Sequence, residues 1–332
     1  MTVDHSRRRA LAAGTTLGVA TLAGTAARPL RAQAWPSKPI RFLVGFPPGG
    51  FADLYARAMG EHFSTRLGQP VVVENRPGVV GQLALNTLTQ AAPDGHTICL
   101  APPSSYWQAR VLFKKLPFDP DRELAPVTFL PAGPPVQAVS TSHPARTMRE
   151  FIDWSKSNPT TWATFGPGSS AHLYVETLNR SQGATMTPVH YKGEAAVWVD
   201  VIGGAVHVGS TTFSSFAAMY AKGGLRPISV SGPKRCPKLP EVPTLVEQGF
   251  NEPLFGLETW SSIVAPANTP EPIMARLAEL SIEWAGTPSG ARFLDQYGIS
   301  RPPTTRAETR EFAVRDAPVW IETVRSLGIP PM

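Results

Sequence analysis

IRFLVGFPPGGFAD, residues 40–53, joins an apolar run to a helical pattern through a glycine-rich turn. Its apolar and β-branched start predicts a strand from Ile40 to Phe46, and the apolar spacing from Asp53 to Leu67 predicts a helix. The two glycines between them let backbone amides approach a ligand without a Cβ in the way. Because the helix N-terminus adds unpaired N–H groups and a positive dipole end, and Asp53 can cap it, the stretch predicts an anion site. The alternative is an ordinary turn between a strand and a helix.

The same strand–loop–helix pattern continues along the chain. Further strands are predicted at 71–74 and 97–101, with a helix at 81–91 between them, and this βαβαβ order favours a largely parallel sheet covered by helices. The pattern then restarts, with strands predicted at 136–140, 162–165, 189–191, 206–210, 227–230 and 260–264, and helices at 147–157, 170–180, 194–201, 270–284, 289–296 and 306–325. The sequence therefore predicts two α/β units, either of which could supply the sheet beneath the last three helices.

A second glycine-rich turn lies in the second unit. Phe165-Gly166-Pro167-Gly168-Ser169-Ser170-Ala171-His172 again joins a strand to a helix, and its two serines add hydroxyl groups to the backbone amides. His172 lies one turn into the helix, where a single histidine is more often a structural hydrogen-bonding residue than a catalyst. A third segment, Tyr191-Lys192-Gly193, ends a strand and offers Tyr191 and Lys192 as ligand contacts or, alternatively, forms a solvated turn.

Several classes of active site find no support in the sequence. The turn at 166–171 fits the G-x-G-x-x-A dinucleotide pattern, but Pro167 lies inside it, and Lys192 or Gly193 replaces the acid expected after the next strand. The chain has no H-E-x-x-H, C-x-x-C, EF-hand, P-loop or G-x-S-x-G motif, so neither a metal nor a cofactor is predicted. Ser170 and His172 are two residues apart on one helix and would not face each other in a hydrolase triad.

Residues 1–34 are predicted to be an export signal that is removed before Trp35. Three arginines at 7–9 precede an apolar, small-residue stretch, and Ala32-Gln33-Ala34 is an A-x-A cleavage site, as in a twin-arginine signal. A membrane anchor is the alternative, but the stretch is shorter than about 20 residues and contains glycine and threonine. The leader holds five arginines and one acid, so its removal lowers the net charge from +6 to +2. A charge that small suggests neither a nucleic acid nor an anionic membrane as partner.

Two cysteines are present. Cys99 lies in a predicted buried strand and Cys236 lies in a predicted loop. Export to an oxidising compartment permits a disulfide between them. Two unpaired thiols are the other possibility, and the sequence favours that one.

The order and spacing of several motifs resemble those of one family. They are similar to the solute-binding receptors of tripartite tricarboxylate transporters, often called Bug-type receptors, over essentially all of residues 35–329. The matching segments are Trp35 to Arg41, Phe46 to Gly50 with Asp53, Val73 to Gly78, Pro93 to Thr97, Gly166 and Gly168-Ser169 with His172-Leu173 and Glu176, Tyr191 to Gly193, Pro240 to Thr244 with Glu247 and Gly249, and Trp260 with Ala265-Pro266 and Thr269-Pro270.

This resemblance implies an α/β architecture, the two-lobed type II periplasmic binding protein fold, in which two α/β domains are joined by two crossover strands. The first lobe would combine residues 35–135 and 260–332, and the second would span 136–259. The crossings are expected near 133–138 and 256–262, so the last helices return to the first lobe.

The resemblance also implies the ligand and the site. Family members bind small carboxylates, and the loops at 46–53 and 166–170 are expected to close on the ligand and to hold it through backbone amides and ordered waters. The residues expected to form the site are Phe46, Pro47, Pro48, Gly49, Gly50, Phe51, Ala52, Asp53, Ser104, Ser105, Gly166, Gly168, Ser169, Ser170, His172, Tyr191, Lys192, Gly193 and Thr211.

One departure from the family bears on the ligand. The family often has an aspartate where this chain has Thr211, and the loss of that acid argues against an amino acid as ligand. The loop at 101–107 is also unusual, because it contains Tyr106 and Trp107. These rings, with Phe51, could line a pocket for an aromatic carboxylate or could simply pack on the surface.

The function predicted from these features is a periplasmic receptor without catalytic activity. It would capture a small carboxylate, a dicarboxylate or an aromatic one in preference to an amino acid, and deliver it as a monomer to the permease subunits of a tripartite tricarboxylate-type transporter or, in principle, to a sensor kinase. Two alternatives stay open. One is a secreted serine-type hydrolase that uses Ser170, and the other is a sensory or scaffold protein that keeps the fold without the ligand.

Overall fold

The computed structural model describes residues 35–191 and 194–331, apart from the side chains of Val79 and Ala195. The predicted export signal, residues 1–34, lies outside the described residues. The chain from Trp35 onward forms one compact unit. Within the described ranges, the helices are all too short or too polar to cross a membrane.

Strands and helices alternate as the sequence predicts. The strands are β1 (Ile40–Val44), β2 (Val71–Asn75), β3 (Thr97–Ala101), β4 (Leu124–Pro131), β5 (Pro135–Ser140), β6 (Thr160–Thr164), β7 (Met186–His190), β8 (Val208–Thr212), β9 (Leu225–Val230) and β10 (Trp260–Pro266). The helices are α1 (Phe51–Leu67), α2 (Gln82–Thr89), α3 (Ala109–Leu112), α4 (Pro120–Glu123), α5 (Met148–Ser155), α6 (Ser170–Gln182), α7 (Ala195–Ile202), α8 (Phe213–Tyr220), α9 (Glu271–Ala285), α10 (Pro288–Gln296) and α11 (Arg306–Leu327).

The strands form two five-stranded sheets, which confirms the predicted two-lobed α/β fold. The first sheet has the order β2-β1-β3-β10-β4, and the second has the order β7-β6-β8-β5-β9. All five residues of β3 are buried, because helices cover both faces of its sheet. The lobe containing the first sheet is called lobe 1 below, and the lobe containing the second sheet is called lobe 2.

The strands of the predicted βαβαβ units are parallel, as expected, and one further strand in each sheet runs antiparallel to its neighbours. β1 pairs in parallel with β2 and β3, whereas β10 is antiparallel to both β3 and β4. In the second sheet β6 is parallel to β7 and β8, whereas β5 is antiparallel to β8 and β9. The reason is the crossing of the chain: β5 and β10 each enter their sheet at the edge where the neighbouring strands end, so each must run in the opposite direction.

The crossings themselves lie close to the predicted places. β4 ends at Pro131 in the first sheet and β5 begins at Pro135 in the second, and the chain returns between Val230 and Trp260. The exact boundaries of the lobes at 135/136 and 259/260 stay a prediction.

The C-terminal helix, α11, packs against both lobes. α9 packs against β4, and α11 contacts α3 and β4 of lobe 1 as well as α6 of lobe 2. Phe312, Trp320 and Val324 of α11 belong to the same apolar cluster as Trp107 and Leu173. Burial of that cluster stabilises the contact between the lobes.

The two cysteines stay apart. Cys99 and Cys236 are both buried and both are free thiols. Cys99 lies in β3 of the first sheet, and Cys236 packs in the core of lobe 2. Burial raises the pKa of the Cys99 thiol far above its ordinary value, so that thiol stays protonated and unreactive.

Candidate functional site

The topology brings two loop-bearing edges together. The parallel strands β1 and β3 end at the edge from which the chain leaves lobe 1, and β6, β7 and β8 end at the edge where it enters lobe 2. Only residues 132–134 separate β4 from β5, and a chain of that length spans at most about 14 Å. The loops after β1 and β6 therefore lie at the two edges that this short segment joins, one loop in each lobe. The region between these two edges is called the cleft below.

The lobe 1 loop is held by Asp53. The amide of Gly49 donates to Oδ2 of Asp53 at 2.9 Å, and the side-chain amide of Asn75 donates to Oδ1 at 2.9 Å. The guanidinium of Arg57, one turn further along α1, donates to Oδ2 at 3.0 Å. Burial by itself would raise the pKa of Asp53, but these donors outweigh it and hold the pKa below its ordinary value. Asp53 is therefore ionised, and both of its carboxylate oxygens accept hydrogen bonds from protein groups. Its role is to position the loop.

This arrangement corrects the predicted capping role of Asp53. The N-cap of α1 is Gly50, and it has no side-chain cap. The first amides of the helix, on Phe51 and Ala52, have no carbonyl acceptor within the helix. Pro47, Pro48, Gly49 and Gly50 are exposed, so this end of the loop is open to a ligand. Unpaired amides at a positive dipole end are donors suited to an anion.

The lobe 2 loop has the same design. The amide of Gly168 donates to Nδ1 of His172 at 2.9 Å, and Oγ of Ser169 accepts from the amide of His172 at 3.3 Å as the N-cap of α6. Gly166 and Gly168 have φ values of 137° and 70°, which side-chain-bearing residues rarely adopt. The amides of Ser170 and Ala171 begin the helix and have no acceptor within it. His172 thus positions the loop, as the structural interpretation of its sequence position predicts.

A leucine from lobe 1 lies on this loop. A Cβ placed on Gly168 would lie 2.0 Å from Cδ1 of Leu112, which belongs to α3. Any side chain at position 168 would therefore collide with lobe 1. The sequence does not reveal this contact, because no local pattern links residues 56 positions apart.

Ser104 and Ser105 occupy a short 3₁₀ turn after β3. Ser105 is buried and its hydroxyl donates to the carbonyl of Val80 at 2.7 Å, while the side-chain amide of Gln82 donates to the carbonyl of Ser105 at 2.6 Å. Val80 has φ 56° and ψ 36°, an unfavourable region for a β-branched residue. Ser105 therefore supports a strained loop beside the cleft, and the half-buried Ser104 is the serine of the pair nearer to solvent. Val80 and Gln82 were not singled out from the sequence.

The aromatic residues proposed near the site are packed in the core. Tyr106 donates to or accepts from the hydroxyl of Ser262 at 3.0 Å, and Trp107 packs against Phe129. Both are almost fully buried. Phe51 packs against Tyr55, Phe293 and Tyr297, with ring centroids 5.4, 6.2 and 5.4 Å away. The structure thus assigns these rings to packing, which was the alternative to an aromatic ligand pocket.

Thr211 also lies in the core. It is fully buried, and its hydroxyl accepts from the indole nitrogen of Trp198 at 3.0 Å and donates to the carbonyl of Thr212 at 3.1 Å. The expectation that Thr211 contacts the ligand is therefore wrong, because its side chain points to the face of the sheet covered by Trp198. Its identity carries no information about the charge of the ligand.

The third predicted segment is partly described. Tyr191 donates from its hydroxyl to Asp200 at 2.6 Å, within lobe 2, while Lys192 and Gly193 lie outside the described residues. The next residue, Glu194, is half-buried, and its Oε2 accepts from the hydroxyl of Thr212 at 2.7 Å. Burial raises the pKa of Glu194 to about 7 in spite of that bond. Glu194 is an ionisable group at the cleft edge that was not singled out from the sequence.

The described residues show neither a metal centre nor a working triad. In the described ranges, no three His, Cys, Asp or Glu side chains are grouped as metal ligands would be. Nδ1 of His172 accepts from Gly168, and Nε2 lies 3.7 Å from Glu176. Both ring nitrogens of His172 thus face groups other than Ser170, so the histidine is not placed to activate that serine.

Comparison with known proteins agrees with the fold of this chain. Residues 55–328 match the family model of the tripartite tricarboxylate transporter family receptor. A Cupriavidus necator protein of the UPF0065 group, named for the gbd 5′ region, is 35% identical over 97% of this chain and 98% of its own length.

Solved structures with bound carboxylates have the same fold. An R. palustris protein solved with adipate is 26% identical, with a TM-score of 0.81 over 90% of this chain and 100% of that chain. MatC from Rhodopseudomonas palustris, with bound malate, is 27% identical, with a TM-score of 0.74 over 87% of this chain and 99% of that chain. The family model that matches the chain describes a receptor rather than an enzyme. The chain therefore belongs to the tripartite tricarboxylate transporter receptor family.

Proposed function

We propose that the chain is a periplasmic receptor that captures a small dicarboxylate between its lobes and delivers it to the permease subunits of a tripartite tricarboxylate-type transporter. The observation that carries this proposal is that each lobe has a glycine-rich loop followed by the N-terminus of a helix, at the edge where the chain crosses between the lobes. An anion between them would receive donors from Phe51 and Ala52 on one side and from Ser170 and Ala171 on the other.

The choice of a dicarboxylate over other carboxylates has two supports. The relatives solved with ligands hold adipate and malate, both dicarboxylates. The side chains of Phe51, Tyr106 and Trp107 pack against protein residues, so they are not available to contact an aromatic carboxylate. Because Thr211 is buried away from the ligand, it gives no reason to exclude amino acids, and they belong in the test.

Capture of the ligand would depend on the orientation of the loop amides and on a hinge motion of the two lobes. Asp53 and His172 each hold a loop glycine amide, so the remaining amides are oriented before the ligand arrives. Preorganised donors cost little ordering entropy on binding. Closure of the lobes around the ligand would pivot at α11 and the crossing segments.

Export of the mature protein belongs to the same proposal. The predicted leader ends before Trp35, and the described chain is anchored at that point. The amide of Ser37 donates to Nε2 of His96 at 3.1 Å, and the Trp35 ring packs against the same histidine. N-terminal sequencing of the protein from a periplasmic fraction should begin at Trp35.

Thermal unfolding tests the function. The chain from residue 35 is unfolded, dialysed to remove any retained solute, refolded and heated with adipate, malate, succinate, citrate, benzoate and aspartate in turn. A ligand at 100 times its Kd stabilises a protein by about 2.7 kcal/mol, which is readily seen in the Tm. We expect one or more dicarboxylates to raise the Tm. A Tm that none of the carboxylates changes would contradict the proposal and favour a scaffold without a ligand.

A further inference from the structure

Tyr174 carries a buried hydroxyl that forms no hydrogen bond of normal geometry with the described residues. It lies on α6 four residues after Ser170, so both side chains are on the same face of the helix. The residue is fully buried. Because an unsatisfied buried hydroxyl destabilises a protein, a function for this one needs to be sought.

The hydroxyl lies at the cleft edge of lobe 2. Oη approaches the hydroxyls of Ser170 and Ser231. Ser170 is the first residue of α6, at the candidate site, and Ser231 directly follows β9. β9 and β8 are both antiparallel to β5, so β9 ends at the same edge as the loop-bearing strands. Two independent elements therefore place Oη beside the cleft.

The neighbours of the hydroxyl are already partly engaged. Oγ of Ser231 accepts from the side-chain amide of Gln137 at 3.0 Å, and Gln137 also bonds Ser210 and Ser229. The Tyr174 ring packs against Phe255 at a centroid distance of 5.9 Å, which fixes its direction. Burial raises the pKa of Tyr174 far above its ordinary value, so the phenol keeps its proton and remains a donor.

We propose that the hydroxyls of Tyr174 and Ser170 donate hydrogen bonds to a carboxylate oxygen of the bound ligand, on the lobe 2 side of the cleft. This inference rests on the proposed function and adds two side-chain contacts to the backbone amides. Hydroxyl donors form stronger hydrogen bonds with a carboxylate oxygen than with a neutral oxygen, so this pair favours an anionic group at this position.

The substitution Tyr174→Phe tests the inference, because it removes only the hydroxyl and keeps the ring. The full mature chain from Trp35 is titrated calorimetrically with whichever dicarboxylate the wild-type protein binds. We expect affinity to fall about tenfold or more, since a hydrogen bond to a charged group contributes about 1.5–3 kcal/mol. Without ligand, the Tm should stay the same or rise, because an unsatisfied group has been removed. A purely structural role would instead lower the Tm and leave affinity unchanged.

The chain offers a matched control in lobe 1. Tyr55 is also fully buried with an unpartnered hydroxyl, but it packs against Trp284 and Phe293 in the core. Tyr55→Phe should leave affinity unchanged, and Ser170→Ala should weaken binding as Tyr174→Phe does. Equal affinity of wild type and Tyr174→Phe would overturn the inference while the receptor function stands, and would indicate a buried water as the partner of Oη. Absence of carboxylate binding by the wild type would overturn the proposed function and this inference together.

Discussion

The amide of Gly168 donates a 2.9 Å hydrogen bond to Nδ1 of His172, four residues further along the chain. The amide of Gly49 in the opposite lobe donates a 2.9 Å hydrogen bond to Asp53, again four residues along. Each loop is therefore fixed by a side chain from the first turn of its own helix. The two lobes reach the same result with different chemistry, an imidazole nitrogen in one and a carboxylate oxygen in the other.

The histidine bond should matter more for binding than for folding. His172→Phe keeps a ring in place but leaves the Gly168 amide unpaired, which costs about 1–3 kcal/mol and loosens the loop. We expect dicarboxylate affinity, measured by calorimetry, to fall about tenfold. The control is His207→Phe, since Nδ1 of His207 accepts from the amide of Thr161 at 3.1 Å at the far edge of the same sheet. If both variants lose affinity equally, the effect is one of stability and the positioning role is wrong.

The contribution of Asp53 to the stability of the protein should depend on pH. Its pKa is lower in the folded protein than in the unfolded chain, so its contribution to stability is present above the unfolded value and is lost as the pH falls through the folded value. Asp53→Asn should lower the free energy of unfolding in urea by about 1–2 kcal/mol at pH 7, and by much less near pH 3. Asp153→Asn removes an exposed pair with Lys156 and should change stability by under about 0.5 kcal/mol. If the free energy of unfolding that Asp53→Asn loses is the same near pH 3 as at pH 7, Asp53 does not stabilise the loop through its ionised carboxylate.

The contact between Leu112 and Gly168 can be measured with two alanine substitutions. Gly168→Ala should destabilise by about 2–4 kcal/mol, because it adds a left-handed backbone cost to a collision with Leu112. Gly183→Ala has a similar φ of 66° with open space around it, so it should show the backbone cost alone, about 1 kcal/mol. The double variant Leu112→Ala with Gly168→Ala should recover part of the stability that Gly168→Ala loses beyond the loss of Gly183→Ala. Equal losses for the two glycines would show that Leu112 does not press on the loop.

Val80 should be a site where glycine is tolerated well. The left-handed conformation costs a β-branched residue about 1–3 kcal/mol, more than the roughly 0.5–1 kcal/mol that glycine costs through chain entropy. Val80→Gly should therefore leave the Tm unchanged or raise it. Val72→Gly, in the middle of β2, should lower the Tm, because glycine weakens a strand. A fall in Tm for Val80→Gly as large as that for Val72→Gly would contradict the strain argument.

Glu194 should make the protein less stable as the pH rises. Its pKa is about 7 in the folded protein and 4.5 for a free side chain, so the folded state holds the extra proton between these values and loses stability as the pH rises through them. Glu194→Gln should remove that loss and gain on the order of 1 kcal/mol at pH 8. Glu61→Gln, on the exposed side of α1, serves as the control and should keep the wild-type pH profile. An unchanged profile for Glu194→Gln would show that the carboxyl is solvated.

Strong local signals made much of the fold predictable. The run from Ile40 to Val44 and the glycine-rich turn after it give β1 and its loop directly, and the same holds for the turn at 166–169. β4 escaped prediction because Pro126 and Pro131 interrupt its apolar pattern, and proline is a poor indicator of a strand. The antiparallel direction of β5 and β10 depends on where the chain re-enters each sheet, which no local pattern records.

The positions of the loop glycines and of the helix starts agree with the sequence, because turn and helix-start signals are local. Their role in binding stays a prediction. Thr211 and Phe51 were misplaced because the face on which a side chain lies depends on packing by Trp198 and by Tyr297. Tyr174 and Leu112 were missed because their roles depend on contacts with residues distant in sequence.

The decisive experiment is calorimetric titration of the refolded mature chain with adipate and malate, beside their uncharged dimethyl esters. The helix N-terminal amides of the two lobes should bind at least one of the dicarboxylates much more tightly than its ester, because hydrogen bonds to an ionised oxygen at a positive dipole end are the stronger ones. Binding of an ester as tight as that of its acid, or heat from neither acid, would contradict the assignment of a carboxylate receptor.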